Sequence, residues 1–235
     1  NETIYFVGAR EGDTRQSDIY AVTATSQPIA ITETEGFKSA PVLSPTGKVI
    51  LFSLSFSNPF PRPPAGQATN NAATANQQRG PGFGAAATGF GLVNLITKKV
   101  NVTNGLMPAF SADGNEIVYL SRNQQEISLM LMSVADGATS SVLKTTDQLQ
   151  TPAFSPDGQR LIYSRRINDD YETVINSRDG KSETRVSREI QHNVLPRFIS
   201  ATKVMDVIGE PRHRRAWLYD LQTGQKHQLF HNNTV

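Results

Sequence analysis

One short pattern recurs along the chain and constrains its fold more than any other feature. Residues 151–158 (TPAFSPDG) and 107–114 (MPAFSADG) are near copies, residues 40–47 (APVLSPTG) form a looser copy, and a decayed copy begins at Pro196. The anchor prolines at positions 108, 152 and 196 follow one another at intervals of 44 residues. A period of this size is typical of radial arrays of small antiparallel sheets. The sequence therefore predicts an all-β fold built from repeated sheets.

Each repeat is predicted to contain four strands. The first strand carries Pro-x-Phe-Ser, and Pro-Asp-Gly or Ala-Asp-Gly then supplies a turn in which glycine takes the left-handed position. The second and third strands are rich in Val, Ile, Leu, Tyr and Phe, as buried strands should be. A further turn with Asp-Gly or Thr-Gly leads to a more polar, outer strand. We therefore expect a β-propeller of four-stranded antiparallel blades, about five in this chain, forming a single domain over residues 1–235.

The first repeat has no Pro-x-Phe-Ser segment, so its sheet is predicted to lack the inner strand. Counting 44 residues back from Pro41 places the missing anchor before Asn1, and counting 44 forward from Pro196 places the next one beyond Val235. Two arrangements fit this spacing: five units with one incomplete sheet, or a parent protein with six or more blades. The chain also opens on Asn1 and runs at once into a strand-like segment, which favours a removed leader or a longer chain.

Composition excludes several classes of function. The net charge is only +2, from 23 basic and 21 acidic residues, so no global field favours nucleic acid or an anionic membrane. No apolar run approaches the roughly 18 residues that a spanning helix needs, which leaves only a peripheral role at a membrane. Cysteine is absent, which excludes disulfides, thiolate metal sites and cysteine nucleophiles.

An insertion interrupts the repeat between Pro41 and Pro108, which are 67 residues apart, 23 more than the period of 44. The excess lies at about residues 58–89, a Pro/Gly/Ala/Asn-rich stretch that cannot bury enough apolar area to form its own core. It is interpreted as a loop; alternatively, its aromatic residues, with Phe56 beside it, anchor a partner protein. The predicted partner contacts in this region are Phe60, Arg62, Arg79, Phe83 and Phe90.

A second predicted contact surface is basic. Arg212, Arg214 and Arg215 form the densest cationic cluster, in a predicted hairpin tip where several charges raise the local potential. Arg165 and Arg166 occupy the equivalent place one repeat earlier, so two neighbouring blades are predicted to present arginine on one rim. The alternative interpretation is an ordinary exposed turn. Trp217, just after the cluster, is predicted to lie in the core because it aligns with Leu129 and Val174.

No catalytic, cofactor or metal site is predicted. The four histidines, His192, His213, His227 and His231, share no blade position and form no ligand pair on a common face. The repeated Asp113 and Asp157 precede glycine and are predicted to cap their turns. No Gly-x-Ser-x-Gly nucleophile elbow occurs.

The Ser-Pro-Asp-Gly turn, preceded by an aromatic residue and followed by a Leu-Ile-Tyr strand, resembles the TolB-type β-propeller repeat of the WD40-like (PD40) family. The resemblance covers nearly the whole chain outside the insertion. Propellers of this family serve as periplasmic binding subunits, as gating domains of serine peptidases and occasionally as carbohydrate-active enzymes. What the resemblance most often implies is an extracytoplasmic protein that binds another protein.

These observations favour a non-enzymatic platform that is periplasmic or otherwise extracytoplasmic. Its expected partners are other protein subunits, in an assembly to which it is attached as a membrane-extrinsic structural subunit. The alternatives are the substrate-gating propeller of a larger hydrolase, such as a serine peptidase, and a lyase or hydrolase that acts on sugar polymers.

Overall fold

The computed structural model describes residues 2–10, 12–56, 89–187, 192–209 and 214–229. Regular structure within these ranges is entirely β, in five antiparallel sheets whose strands follow chain order. The predicted β-propeller fold is confirmed. Several predicted contact residues fall outside the described ranges: Phe60, Arg62, Arg79, Phe83 and Arg212, together with most of the 58–89 insertion.

The first compact unit, Asn1–Leu106, contains blades 1 and 2. Blade 1 has three strands, which confirms that its sheet lacks the inner strand carried by the others. Its strands are β1 (Thr3–Arg10), β2 (Asp13–Thr23) and β3 (Ile29–Ala30). Blade 2 consists of β4 (Phe37–Leu43), β5 (Val49–Ser55), β6 (Gly89–Asn94) and β7 (Val100–Thr103).

The second unit, Met107–Val235, contains three four-stranded blades. Blade 3 consists of β8 (Leu106–Phe110), β9 (Glu116–Asn123), β10 (Glu126–Ser133) and β11 (Thr139–Thr145). Blade 4 consists of β12 (Leu149–Phe154), β13 (Arg160–Ile167), β14 (Asp170–Ser177) and β15 (Glu183–Arg185). Blade 5 consists of β16 (Asn193–Phe198), β17 (Lys203–Ile208), β18 (Arg215–Asp220) and β19 (Lys226–Gln228).

The repeated Ser-x-Asp-Gly sequence builds the turn between the first two strands. In blade 4, Ser155 Oγ donates to Asp157 Oδ1 at 2.5 Å, and the same oxygen accepts the Gln159 backbone N–H at 3.1 Å. Gly158 takes a φ of 69°, in the left-handed region that glycine tolerates best. The same contacts recur at Asp113 in blade 3. The carboxylates of both aspartates are thus used inside their turns.

The first strands of blades 2 to 5 share a backbone irregularity. The residue just before each anchor proline has a positive φ: Ala40 (49°), Met107 (53°), Thr151 (49°) and Leu195 (56°). The ladder to the second strand shifts register at this point in blades 2, 4 and 5. Such a bulge takes two residues out of the ladder and redirects the side chains beside it.

The cores are formed by the second and third strands. In the first unit, Ile50 and Phe52 of β5 pack with Ile19 of β2 and Val93 of β6, all fully buried. In blade 4, the Leu161–Tyr163 segment of β13 is fully buried. Removing a side chain of this size from water contributes about 1.5–3 kcal/mol. The predicted apolar second strands therefore form the interior of their blades.

Trp217 departs from the prediction. It pairs with Asp206, as Val174 pairs with Tyr163. The matching residue of blade 3 is Met130, opposite Tyr119, rather than Leu129. Unlike Val174, Trp217 is only half-buried. Its ring lies 4.3 Å from the Lys226 ammonium, a cation–π contact at the surface instead of a place in the core.

Candidate functional site

Two kinds of loop lie at the same edge of each blade. In a four-stranded antiparallel meander, the tip between the second and third strands and the connection to the next blade's first strand leave the sheet at the same end. In the second unit the described parts of these segments include residues 146–148, 168–169, 186–187 and 192. We call this side of the second unit the tip edge. Three blades contribute to it, and most of the described polar residues that were predicted to contact a partner lie there.

Tyr171 is held in one orientation at the tip edge. Its hydroxyl accepts a hydrogen bond from Gln150 Nε2 at 2.8 Å and donates one to Gln148 Oε1 at 2.7 Å. Its ring makes an edge contact with the His192 ring, with centroids 6.2 Å apart. His192 Nδ1 lies 2.7 Å from Asp170 Oδ1. Burial raises the pKa of Tyr171, so its hydroxyl stays protonated at neutral pH. The result is an ordered aromatic side chain with polar neighbours on both sides.

Arg166 lies beside this group and is accessible. Its backbone N–H donates to the Gln148 carbonyl at 2.8 Å, which ties its strand to the preceding connection. Its guanidinium contacts Asp169 at 2.9 Å, with side-chain exposures of 41% and 93%. An exposed pair of this kind contributes only about 0–1 kcal/mol, so Arg166 can exchange Asp169 for an external carboxylate at little cost.

Arg165 behaves differently from its neighbour. Its Nε lies 2.8 Å from Asp147 Oδ2, and its Nη1 contacts both carboxylate oxygens of Glu183 at 2.9 and 2.8 Å. Only 21% of its side chain is exposed. Adjacent residues in a strand point to opposite faces, so only Arg166 of the predicted pair faces outward. Arg165, predicted to contact a partner, instead carries a charge neutralised within the fold.

The remaining predicted contacts divide between surface and core. Arg214 and Arg215 lie half-buried at the start of β18, at the tip edge of blade 5, where the predicted arginine rim placed them. Phe90 is fully buried in β6. Because its side chain packs in the core of blade 2, Phe90 has no surface to offer a partner, and that prediction is wrong.

The histidines form no metal centre in the described part of the chain, where no three His, Asp or Glu side chains are placed to bind an ion. His227 is exposed on the outer strand β19. The His192–Asp170 contact was missed by the sequence analysis because it joins two blades. No local spacing signals such a pair.

No family model matches the chain, and no curated protein sequence matches it. Solved structures do. TolB from Acinetobacter baumannii is 16% identical with a TM-score of 0.61, over 97% of this chain and 52% of that one. An oligogalacturonate lyase in complex with manganese is 15% identical with a TM-score of 0.65, over 97% and 61%. The propeller domain of the Trilobed protease from Pyrococcus furiosus is 12% identical with a TM-score of 0.52, over 85% and 59%.

At these identities the comparisons show the fold, a TolB-like β-propeller. The chain spans between about half and three fifths of the length of these three structures. Among the residues that the structure describes, no helix has the length and apolarity needed to cross a bilayer.

Proposed function

We propose that this chain is a non-enzymatic platform that binds another protein through the tip edge of its second unit. The observation that carries the proposal is the pairing of an ordered Tyr171 with an accessible Arg166. Tyrosine and arginine dominate the energetics of protein interfaces. A ring already held by Gln148 and Gln150 loses little conformational entropy on binding.

Charge indicates what kind of partner fits. Arg122 is exposed at the end of β9, Arg166 lies in blade 4, and Arg214 and Arg215 lie in blade 5. Of the acids at this edge, Asp147 and Asp170 are engaged by Arg165 and His192, and the exposed Asp169 pairs with Arg166. The outward-facing charge is therefore mainly positive, which steers acidic surfaces toward this edge.

The proposed setting is extracytoplasmic, with the chain attached to a larger membrane assembly as a membrane-extrinsic subunit. The similarity of fold to TolB, together with the implication of the repeat sequence, supports this setting. The partner would be another protein subunit, with no contribution from nucleic acid.

A pull-down from native membranes in mild detergent, through a tag after Val235, tests the proposal. The paired substitution Arg166→Ala and Tyr171→Ala is compared with Lys181→Ala, which alters an exposed lysine at the opposite edge. We expect a stoichiometric partner with the wild type and with Lys181→Ala, and its loss with the paired variant. Deleting residues 59–89 in a parallel sample measures the contribution of the insertion. Equal capture by the wild type and the paired variant would refute the tip edge as the contact surface, and capture of nothing would refute the platform.

A second candidate comes from a different class. The fold is also shared with puromycin hydrolase, at 13% identity and a TM-score of 0.62 over 91% of this chain and 35% of that one. This similarity supports an alternative in which the chain is the propeller portion of a larger hydrolase. The similarity to the manganese-bound lyase supports an enzyme that acts on sugar polymers. Bound metal in the purified chain, or turnover of acidic oligosaccharides, would favour the lyase over the platform.

A further inference from the structure

One arginine occupies a position where the other repeats carry small apolar residues. The residue after each anchor proline is Val42, Ala109, Ala153 or Arg197. Arg197 therefore lies on β16, the first strand of blade 5, where β16 runs beside β12 of blade 4. Neither the turn nor the core of the repeat requires a cation at this place.

The guanidinium of Arg197 is fixed through one nitrogen. Its Nη1 donates to the Thr151 carbonyl at 3.0 Å and to its own neighbour, the Pro196 carbonyl, at 2.8 Å. Thr151 is the bulge residue of β12, whose carbonyl is released from the ladder by the register shift between Gln150 and Ala153. These two bonds orient the planar group and leave the N–H groups of Nε and Nη2 for other acceptors, because a guanidinium carries five N–H groups.

No carboxylate in the described part of the chain forms an ion pair with Arg197. In the same unit, Arg165, Arg166, Arg178 and Arg185 each have one. Burial lowers the pKa of Arg197, although the residue keeps substantial solvent exposure. Arginine stays protonated in such a place, so Arg197 carries a positive charge that no carboxylate of the described chain neutralises.

The residue that holds the guanidinium also carries an unused donor. Thr151 is only 6% exposed, yet its Oγ1 has no hydrogen-bond partner within the described ranges. An unpaired buried hydroxyl costs about 1–3 kcal/mol. Thr151 thus contributes its carbonyl to position the guanidinium and retains a hydroxyl for another group.

We propose that Arg197 and Thr151 form a carboxylate-binding site between the first strands of blades 4 and 5, and that its occupant is an acidic side chain of a bound peptide segment. A carboxylate is planar and accepts two parallel N–H bonds from a guanidinium, and a remaining lone pair accepts the Thr151 hydroxyl. The choice of a peptide rests on the proposed platform function; the site itself does not.

The test measures the rate at which phenylglyoxal labels Arg197 in the purified chain, read by mass spectrometry of the Arg197 peptide. The probe is a capped tetraglutamate peptide, and a capped tetraglutamine peptide is the uncharged control. We expect tetraglutamate to slow labelling of Arg197 at least fivefold, with little effect on exposed Arg122. Equal protection of Arg197 and Arg122, or equal protection of Arg197 by tetraglutamate and tetraglutamine, would overturn the site.

Two variants distinguish specific binding at this site from non-specific attraction of an acidic peptide to positive charge. Arg197→Gln keeps a donor for the two carbonyls but removes the cation, and Thr151→Val removes the hydroxyl. Binding of fluorescent tetraglutamate should fall at least tenfold with the first and about threefold to tenfold with the second, at unchanged melting temperature. Unchanged binding by either variant would overturn the role assigned to the residue that it replaces.

Two further outcomes concern the occupant and the platform. Protection by oligogalacturonate but not by tetraglutamate would overturn the peptide occupant in favour of a sugar acid. Failure of the membrane pull-down together with protection by tetraglutamate would refute the platform and leave the carboxylate site standing.

Discussion

The ammonium of Lys38 lies 3.1 Å from Asp18 Oδ1, with both side chains withdrawn from water at 0% and 2% exposure. Arg10 binds the other oxygen of the same carboxylate, with its Nε 2.7 Å from Asp18 Oδ2. Lys38 is three residues before its anchor proline, the position that Leu149 and Asn193 occupy in blades 4 and 5. Asn193, like Lys38, is polar and lies beside a buried carboxylate, because its side chain donates to Asp206 at 2.8 Å.

Replacing Lys38 with methionine should destabilise the chain by about 2–4 kcal/mol. The change keeps the apolar stem but leaves Asp18 buried with one cation instead of two, and breaking a buried pair costs more than the pair contributes. Urea denaturation measures the free energy of unfolding. Lys181→Met, at an exposed pair, should change it by less than about 0.5 kcal/mol. Equal effects of the two substitutions would show that burial of the Lys38 pair is unimportant.

Stability should fall in acid. Burial alone would raise the pKa of Asp18, but hydrogen bonds from Arg10 and Lys38 outweigh it and hold that pKa below its ordinary value. Hydrogen bonds from Ser111 and Ser155 lower the pKa of Asp113 and Asp157. A carboxyl with a lower pKa in the folded state stabilises it above the unfolded-state value and loses that effect as pH falls through the folded-state value.

We therefore expect a level free energy of unfolding between about pH 5 and 7 and a decline below about pH 4. Urea titrations at successive pH values measure it. Asp157→Asn should be less stable than the wild type near neutrality, by about 1 kcal/mol, and the difference should shrink in acid. A constant difference at every pH would contradict this account.

Stability should also fall at alkaline pH because of Tyr163. Burial raises the pKa of this fully buried phenol, whose hydroxyl contacts Glu183 at 3.1 Å and Asn176 at 3.3 Å. A raised folded-state pKa contributes stability that is present below the unfolded value of about 10 and is lost as pH rises further. Tyrosinate absorbance and circular dichroism, followed together, should show Tyr163 ionising only as blade 4 unfolds.

Tyr163→Phe isolates this effect. It should remove part of the alkaline loss and cost about 1–2 kcal/mol near neutrality, because Glu183 and Asn176 lose a partner. Tyr20→Phe is the matched control, since the Tyr20 hydroxyl makes one exposed bond to the Ala9 carbonyl at 3.2 Å. An alkaline profile unchanged by Tyr163→Phe would assign the loss to other groups.

Local sequence determined the repeat, the turns and the incomplete first blade, because each depends on residues within a few positions of one another. The face of the sheet to which a side chain points, and its contacts with a neighbouring blade, were not predictable in this way. Arg165 and Arg166 are equally basic, and only strand register decides that one is neutralised and the other accessible. The His192–Asp170 and Lys38–Asp18 contacts join different blades, so their spacing in sequence carries no signal. Phe90 and Trp217 were assigned to the wrong environments because strand register, which short sequence patterns do not give, sets the face of the sheet on which each residue lies.

The bulge before the anchor proline predicts a local cost of branching at Cβ, which Thr151 of blade 4 bears and the other three bulge residues avoid. Ala40 has a φ of 49° and is exposed, so substitution there changes few contacts. A β-branched residue at positive φ is strongly disfavoured, and Ala40→Val should lower the free energy of unfolding by about 1–2 kcal/mol. Ser141→Val, in the exposed part of β11, should have little effect. Equal stability of the two variants would show that the bulge is not strained by branching.

The packing of blade 2 makes the sharpest prediction, which concerns Gly91 and Phe52. The two residues face each other across β5 and β6, and a Cβ placed on Gly91 would lie less than 3 Å from three atoms of the Phe52 ring. Because Phe52 is fully buried, its ring has no free space into which it can turn. Gly91→Ala should therefore cost about 1–3 kcal/mol through overpacking.

Phe52→Leu should cost a similar amount by itself, since it leaves a cavity where the ring lay. In the double variant, however, the smaller leucine makes room for the new methyl group, so the two losses should not add. A double-mutant cycle from urea denaturation should give a favourable coupling of at least about 1 kcal/mol. Additive losses would mean that the backbone of β6 moves to accept the methyl group and that the ring of Phe52 does not fix the spacing of these strands.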